Sequence, residues 1–75
     1  MTRLPVLSVR KVIKALSKAG FRKVSQKGSH IKLKLSKGDR TWIVIVPNFS
    51  EIPAGTLASI IRQSGLEKED FLKLL

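Results

Sequence analysis

Near the start of the chain, apolar residues recur every three or four positions, as they do on the buried side of a helix. This spacing holds from Val9 to Ala19 and predicts an amphipathic helix that Ser8 caps and Gly20 ends. The opposite side of the helix is basic and carries Arg10, Lys11, Lys14 and Lys18. The first predicted element therefore has one side for a core and one side that is positively charged.

The pattern then changes to a period of two, which is typical of strands. We predict one strand over residues 21–27, a tight turn at Gly28-Ser29, and a second strand over residues 30–37. In the second strand, the apolar residues Ile31, Leu33 and Leu35 alternate with His30, Lys32 and Lys34. The only histidine of the chain therefore shares a strand face with lysines rather than with the core.

A third predicted strand, residues 41–47, follows a hairpin turn at Lys37-Gly38-Asp39-Arg40 and is apolar on both faces. In a small antiparallel sheet, such a strand leaves one apolar row directed away from the helices. Two interpretations of this row remain open. Either a partner covers it, or the Trp42 ring and the stems of nearby lysines cover it locally.

Two further helices complete the predicted fold: one from about Gly55 to Gly65, after a loop at residues 48–54, and a short final one. The first turn of the short helix holds Glu67, Glu69 and Asp70, whose charges suit a helix N-terminus. The order α-β-β-β-α with a short C-terminal helix predicts a single small α+β domain over residues 1–75, with helices on one face of a three-stranded antiparallel sheet. The double-stranded-RNA-binding domain (dsRBD) has the same order of elements.

Charge narrows the choice of ligand, because 15 Lys and Arg against 5 Asp and Glu give a net charge of +10. Twelve of the basic residues lie in residues 1–50, where Asp39 is the only acid, so this part must supply any surface for a polyanion. The alternative is a basic surface that is only solvated. Cysteine is absent, and the longest apolar run, residues 42–46, is too short to span a bilayer. We therefore expect a soluble, cytoplasmic protein without membrane contact.

Three short motifs follow one another along the chain: Gly20-Phe21, Gly28-Ser29-His30 and Gly55-Thr56-Leu57. Together with Val12-Ile13-Lys14-Ala15-Leu16, Gln26-Lys27, Val46-Pro47, Ile60-Ile61-Arg62-Gln63-Ser64-Gly65-Leu66 and Phe71, they cover nearly the whole length. On these residues the chain resembles the HicA (YcfA-like) toxins of toxin–antitoxin systems. The resemblance implies an mRNA interferase, a ribonuclease that cleaves mRNA and arrests translation. It also implies a HicB-type antitoxin that neutralises the toxin, with DNA contact only through the complex with that antitoxin.

The resemblance aligns His30 with the histidine on which the activity of the family depends. Without it, a lone histidine is most often a satisfied or solvated side chain, so the resemblance carries most of this assignment. Many members have a second histidine just after the Val-Pro pair, where this chain has Asn48-Phe49. Either that second histidine is dispensable or this protein is a weaker enzyme.

The chemistry expected at His30 is proton transfer, because imidazole exchanges protons near pH 7 and can accept one from a ribose 2′-hydroxyl. Cations close to it would stabilise the charge that grows on the phosphate. The residues predicted to contact RNA are Lys27, Gly28, Ser29, Lys32, Lys34, Arg22 and Lys23. Four of the five acids lie in the last third of the chain, so we expect no metal site and no cofactor. The predicted reaction is a metal-independent transesterification that leaves a 2′,3′-cyclic phosphate.

A different class of function remains open from the sequence. A module that binds double-stranded RNA by shape and charge without cutting it would have the same fold and the same charge. Such a module would keep its affinity without His30, because one neutral imidazole adds little to phosphate binding. A basic DNA-binding subunit is less compatible, since no predicted helix begins with base-reading side chains.

Overall fold

The computed structural model describes residues 4–75, so residues 1–3 of the predicted domain lie outside the described part. In chain order its elements are β1 (Leu7–Ser8), α1 (Val9–Lys18), β2 (Arg22–Lys27), β3 (His30–Lys37), β4 (Arg40–Pro47), β5 (Glu51–Ile52), α2 (Ala54–Ser64) and α3 (Lys68–Lys73). They confirm the predicted α+β class and the order of the main elements. The sequence prediction did not include β1 and β5, which pair antiparallel; β5 interrupts the segment predicted as a loop.

Local signals at the helix ends act as the sequence predicts. The Ser8 hydroxyl oxygen accepts a hydrogen bond from the Lys11 backbone N–H at 3.2 Å, which satisfies one N–H group that a helix start leaves free. α1 ends at Lys18, and Gly20 then turns the chain with a φ of +106°. Gly65 ends α2 in the left-handed conformation, with a φ of +77°. Within residues 4–75, no helix has the length and apolar character needed to cross a membrane.

The central sheet has the strand order β2-β3-β4 and is antiparallel. Each of its two hairpins has a two-residue loop in which glycine comes first, Gly28 with a φ of +58° and Gly38 with a φ of +64°. Because the length of a hairpin loop fixes the strand register, these turns determine which residues face each other. They place His30 between Lys27 on β2 and Pro47 on β4.

The three-stranded sheet has one buried face, here called the inner face, and one exposed outer face. Residues that pair across antiparallel strands lie on the same face, so the buried Ile31 and Leu33 share the inner face with Val46 and Val44. The helices cover this face, and the joint core also includes Val12, Ala15, Leu16, Phe21, Leu57, Ile60, Ile61 and Phe71. This arrangement confirms the prediction of helices on one face of the sheet.

Trp42 and Gln63 connect α2 to β4. Trp42 is half-buried, and its indole occupies the space that a side chain on Gly65 would need. The Arg40 guanidinium lies 5.0 Å from the centroid of the indole ring. The side-chain oxygen of Gln63 accepts a hydrogen bond from the Ile45 N–H at 3.0 Å, which pairs a donor on the free edge of β4.

The outward apolar row of β4 consists of Ile43 and Ile45, which are 43% and 36% exposed. Trp42 lies on the inner side with the core, so the interpretation in which its ring covers this row is wrong. The neighbours of the two isoleucines on the outer face are Lys34 and Lys32, which pair with Ile43 and Ile45 respectively.

Candidate nucleic-acid interface

His30 is the first residue of β3 and follows directly after the Gly28-Ser29 turn. Its side chain is exposed and lies on the outer face of the sheet, away from the core. The register pairs it with Lys27 on one side and with Pro47 on the other. A ligand that lies across the outer face therefore has open access to the imidazole.

The outer face is basic around His30. Lys32 and Lys34 follow His30 at every second position of β3, so the three side chains share one face. On β2, Ser25 pairs with Lys32 and Arg22 pairs with Lys34, which brings another cation to the same face. The outer-face residues of the three strands are Arg22, Ser25, Lys27, His30, Lys32, Lys34, Ser36, Thr41, Ile43, Ile45 and Pro47, and none is acidic. This set can attract a phosphate backbone toward the imidazole.

A β-bulge separates Lys23 from the other predicted RNA contacts. The register of β2 shifts between Lys23 and Ser25, so Lys23 pairs with the buried Leu33 and lies on the inner side of the sheet edge. There its ammonium group donates a hydrogen bond to the side-chain oxygen of Gln26 at 2.8 Å. The same shift places Arg22 on the outer face. Strict alternation would have predicted the reverse, because a bulge inserts one extra residue into the pattern.

The turn before His30 contacts the loop that follows β4. The carbonyl oxygen of Ser29 accepts a hydrogen bond from the backbone N–H of Asn48 at 2.6 Å. Phe49, the next residue, is 51% exposed. The position where the family resemblance places a second histidine is therefore adjacent to the histidine turn. Sequence spacing alone gave no sign of this contact, because Ser29 and Asn48 are nineteen positions apart.

Space around Gly28 is open. Within the described residues, no atom outside its neighbours lies within 4 Å of the point where a Cβ would be. The glycine is needed for its positive φ rather than for close packing, and its bare backbone allows another chain to approach closely. Gly28 and Ser29 thus form an accessible rim beside the imidazole.

Among residues 4–75, no group of three or more His, Cys, Asp and Glu side chains is arranged so that it could hold a metal ion. The outer face presents one imidazole with several cations, which is a set suited to proton transfer and to phosphate binding.

Comparison with known protein families shows to which family the chain belongs. The sequence model of the HicA toxins of bacterial toxin–antitoxin systems matches residues 9–66 of the 75-residue chain. The chain belongs to the HicA toxin family. The matched HicA segment contains the whole central sheet, His30 and the Asn48 loop. A comparison with curated proteins gives no match.

Membership of the HicA family makes the protein the toxin of a toxin–antitoxin system. The resemblance seen in the sequence is thereby confirmed at the level of the family. It follows that this toxin has an antitoxin as its partner.

Proposed function

We propose that this HicA-family toxin is an endoribonuclease that cleaves mRNA, with His30 as the general base. The observation that carries the proposal is the position of His30. It is exposed at the start of β3, on the same face as Lys27, Lys32 and Lys34. Since the proposed substrate is mRNA, the proposed place of action is the cytoplasm.

In the proposed reaction, the imidazole of His30 accepts the proton of a ribose 2′-hydroxyl while the 2′-oxygen attacks the adjacent phosphorus. The bond from phosphorus to the 5′-oxygen breaks, and that oxygen takes a proton from water. The products are a 2′,3′-cyclic phosphate and a 5′-hydroxyl end. The chemistry itself calls for no metal ion.

The cations of the outer face have a defined part in this reaction. Lys27 pairs with His30, so we assign it to the phosphate that reacts. Lys32 and Lys34 are farther along β3 and are assigned to the next phosphates of a single strand. Arg22, which pairs with Lys34, extends this track at the sheet edge. Lys23 has no part in it, because the bulge turns it to the other side.

The proposed partner is a HicB-type antitoxin that covers His30 directly. Such a protein would be acidic where it docks, because it competes with RNA for Lys27, Lys32 and Lys34. Ile43 and Ile45 provide an exposed apolar pair beside these lysines, and tight interfaces need an apolar centre. The outer face then binds both the RNA substrate and the inhibiting antitoxin, one at a time.

Analysis of the product ends tests the proposed reaction. A short RNA with one 2′-deoxy substitution at the scissile nucleotide should resist cleavage, and the unmodified RNA should give 2′,3′-cyclic phosphate ends also in the presence of EDTA. Products with 3′-hydroxyl and 5′-phosphate ends, formed equally from the deoxy substrate, would contradict the mechanism. RNA binding without any cleavage would instead identify a non-catalytic RNA-binding module.

A further inference from the structure

The chain carries a second basic surface on α1, here called the α1 row: Arg10, Lys11, Lys14 and Lys18. All four side chains are exposed. Arg10, Lys14 and Lys18 are spaced four residues apart, so they follow one another along one side of the helix. Lys11, Lys14 and Lys18 also line one shallow groove of about 200 Å³, together with Leu74 and Leu75.

The α1 row and the outer face lie on opposite sides of the molecule. α1 buries Val12, Ala15 and Leu16 against the core on the inner face of the sheet, and the row is on the side of the helix away from these residues. His30 and its lysines are on the other side of the sheet. A strand held across the outer face for cleavage therefore does not reach the α1 row, and any ligand of the row is a separate segment.

The composition of α1 favours a ligand over a merely solvated surface. The ten residues of the helix include four cations and no acid. Like charges four residues apart destabilise a helix by about 0.2–0.5 kcal/mol per pair, whereas mixed charges would stabilise it. The α1 row thus weakens the isolated helix, and an anionic ligand would remove that repulsion.

The side-chain types and the regular spacing of the α1 row indicate which kind of anion it binds. The row includes no aromatic side chain on which a base could stack, so it suits phosphates rather than single-stranded bases. The apolar side of α1 is buried in the core, so the helix has no surface to insert into a lipid bilayer. A rigid helix with cations about 6 Å apart matches an anion that is itself regular, such as the backbone of a double helix.

Positive charge also continues from α1 toward the catalytic side. A hollow of about 390 Å³ at the β2 edge is lined by Gly20, Arg22, Lys23 and Lys34, next to the end of α1. Lys23 is on the inner side of this edge and Arg22 on the outer side. One folded RNA can therefore contact both surfaces by passing around the edge of the sheet.

We propose that the α1 row binds the phosphate backbone of double-helical RNA, independently of its sequence, while the outer face takes a single-stranded segment. The choice of RNA as the ligand rests on the function proposed above. Folded RNA has duplexes next to unpaired segments, so the α1 row can bind the duplex while the outer face binds the unpaired segment.

The test compares two variants with the same loss of charge. The first, Lys11→Gln with Lys14→Gln and Lys18→Gln, changes the α1 row. The second, Lys32→Gln with Lys34→Gln and Lys37→Gln, changes β3. Glutamine has nearly the helix propensity of lysine, so the α1 variant should fold, which circular dichroism checks. The probes are a 20-base-pair RNA duplex, the DNA duplex of the same sequence, and a short single-stranded RNA.

The α1 variant should bind the RNA duplex roughly tenfold more weakly at physiological salt. It should also flatten the salt dependence of duplex binding by about two to three units, since each phosphate contact contributes about 0.9. It should cut the short single-stranded RNA at the wild-type rate. The β3 variant should bind the RNA duplex as wild type does and should cut the short single-stranded RNA more slowly. Duplex RNA affinity within twofold of wild type, or an equal loss in both variants, would overturn the proposal. An α1 row that binds the DNA duplex as tightly as the RNA duplex would overturn the assignment to RNA.

The two proposals can fail separately. If the wild-type protein cuts no RNA, the proposed nuclease is wrong, but the duplex comparison still decides the role of the α1 row. If RNA is cut and the α1 variant binds duplex RNA as well as wild type, only the α1 inference is wrong.

Discussion

The backbone N–H of Asn48 donates a hydrogen bond to the carbonyl oxygen of Ser29 at 2.6 Å, which connects the end of β4 to the turn before His30. His30 also pairs with Pro47, the residue before Asn48. The start of β3 is thus held both by the sheet register and by this contact. We infer that the contact helps to fix the backbone that presents the imidazole.

Removal of this hydrogen bond should lower the cleavage rate. Asn48→Pro deletes the N–H group, whereas Asn48→Ala keeps it and serves as the matched control. We expect Asn48→Pro to cut RNA clearly more slowly than Asn48→Ala, with RNA affinity little changed, because only the position of His30 is disturbed. Single-turnover cleavage and RNA titration measure the two effects. Equal cleavage rates for the two variants would show that the contact does not position His30.

The lysines of β3 should determine the salt dependence of single-stranded RNA binding. Each phosphate contact on a single strand contributes about −0.7 to the slope of log affinity against log salt. Lys32→Gln with Lys34→Gln should therefore flatten the slope by about 1.4. Lys68→Gln with Lys73→Gln removes the same charge from α3, which packs in the core through Phe71, and should leave the slope unchanged. An equal change in both variants would mean that net charge, rather than the outer face, controls binding.

Two glycines with positive φ should differ in what their replacement costs. Gly28→Ala meets open space, so only the left-handed backbone opposes it, at about 1–2 kcal/mol. Gly65→Ala must also adopt the left-handed backbone conformation, and its Cβ would in addition lie 2.6 Å from the indole nitrogen of Trp42. Chemical unfolding should therefore show a larger loss for Gly65→Ala. Because Trp42 is the only tryptophan, its emission should shift in this variant and not in Gly28→Ala. Equal losses with unchanged emission would contradict the packing of Trp42 on α2.

The exposed isoleucines of β4 should matter for the antitoxin. Ile43→Ala with Ile45→Ala should weaken the complex with a HicB-type antitoxin by at least about tenfold, as expected when an apolar anchor is lost, and should speed its dissociation. Val6→Ala, at another exposed apolar position, is the control. Association should slow as salt increases, because the lysines attract an acidic partner. Full affinity of the double variant would place the antitoxin elsewhere on the toxin.

The main elements could be predicted from the sequence because their signals are local. The Ser8 cap, Gly65 and the two glycine-first turns each act within a few residues of the chain, and all are found where the pattern places them. The strict alternation of β3 was enough to separate His30 from the core.

Features that depend on distant residues could not be predicted. The bulge that exchanges the faces of Arg22 and Lys23 depends on pairing with β3, and nothing in the composition of β2 marks it. The contact between Ser29 and Asn48 depends on how β3 and β4 pair along their whole length. β4 is apolar on both faces, so its own pattern does not show which row points outward; the pairing of Ile43 and Ile45 with Lys34 and Lys32, and the packing of Trp42 against α2, show it.

The assignment of His30 as the general base is tested most directly by His30→Ala. Single-turnover cleavage of one short RNA should be compared between wild type, His30→Ala and Ser36→Ala, an exposed control on the same strand face. The alanine at position 30 should lower the rate by at least about 10²-fold. It should change the free energy of unfolding by less than about 0.5 kcal/mol, since the side chain is exposed. RNA affinity should stay near that of wild type, and Ser36→Ala should cut normally. Cleavage by His30→Ala at close to the wild-type rate would contradict the proposed role of His30.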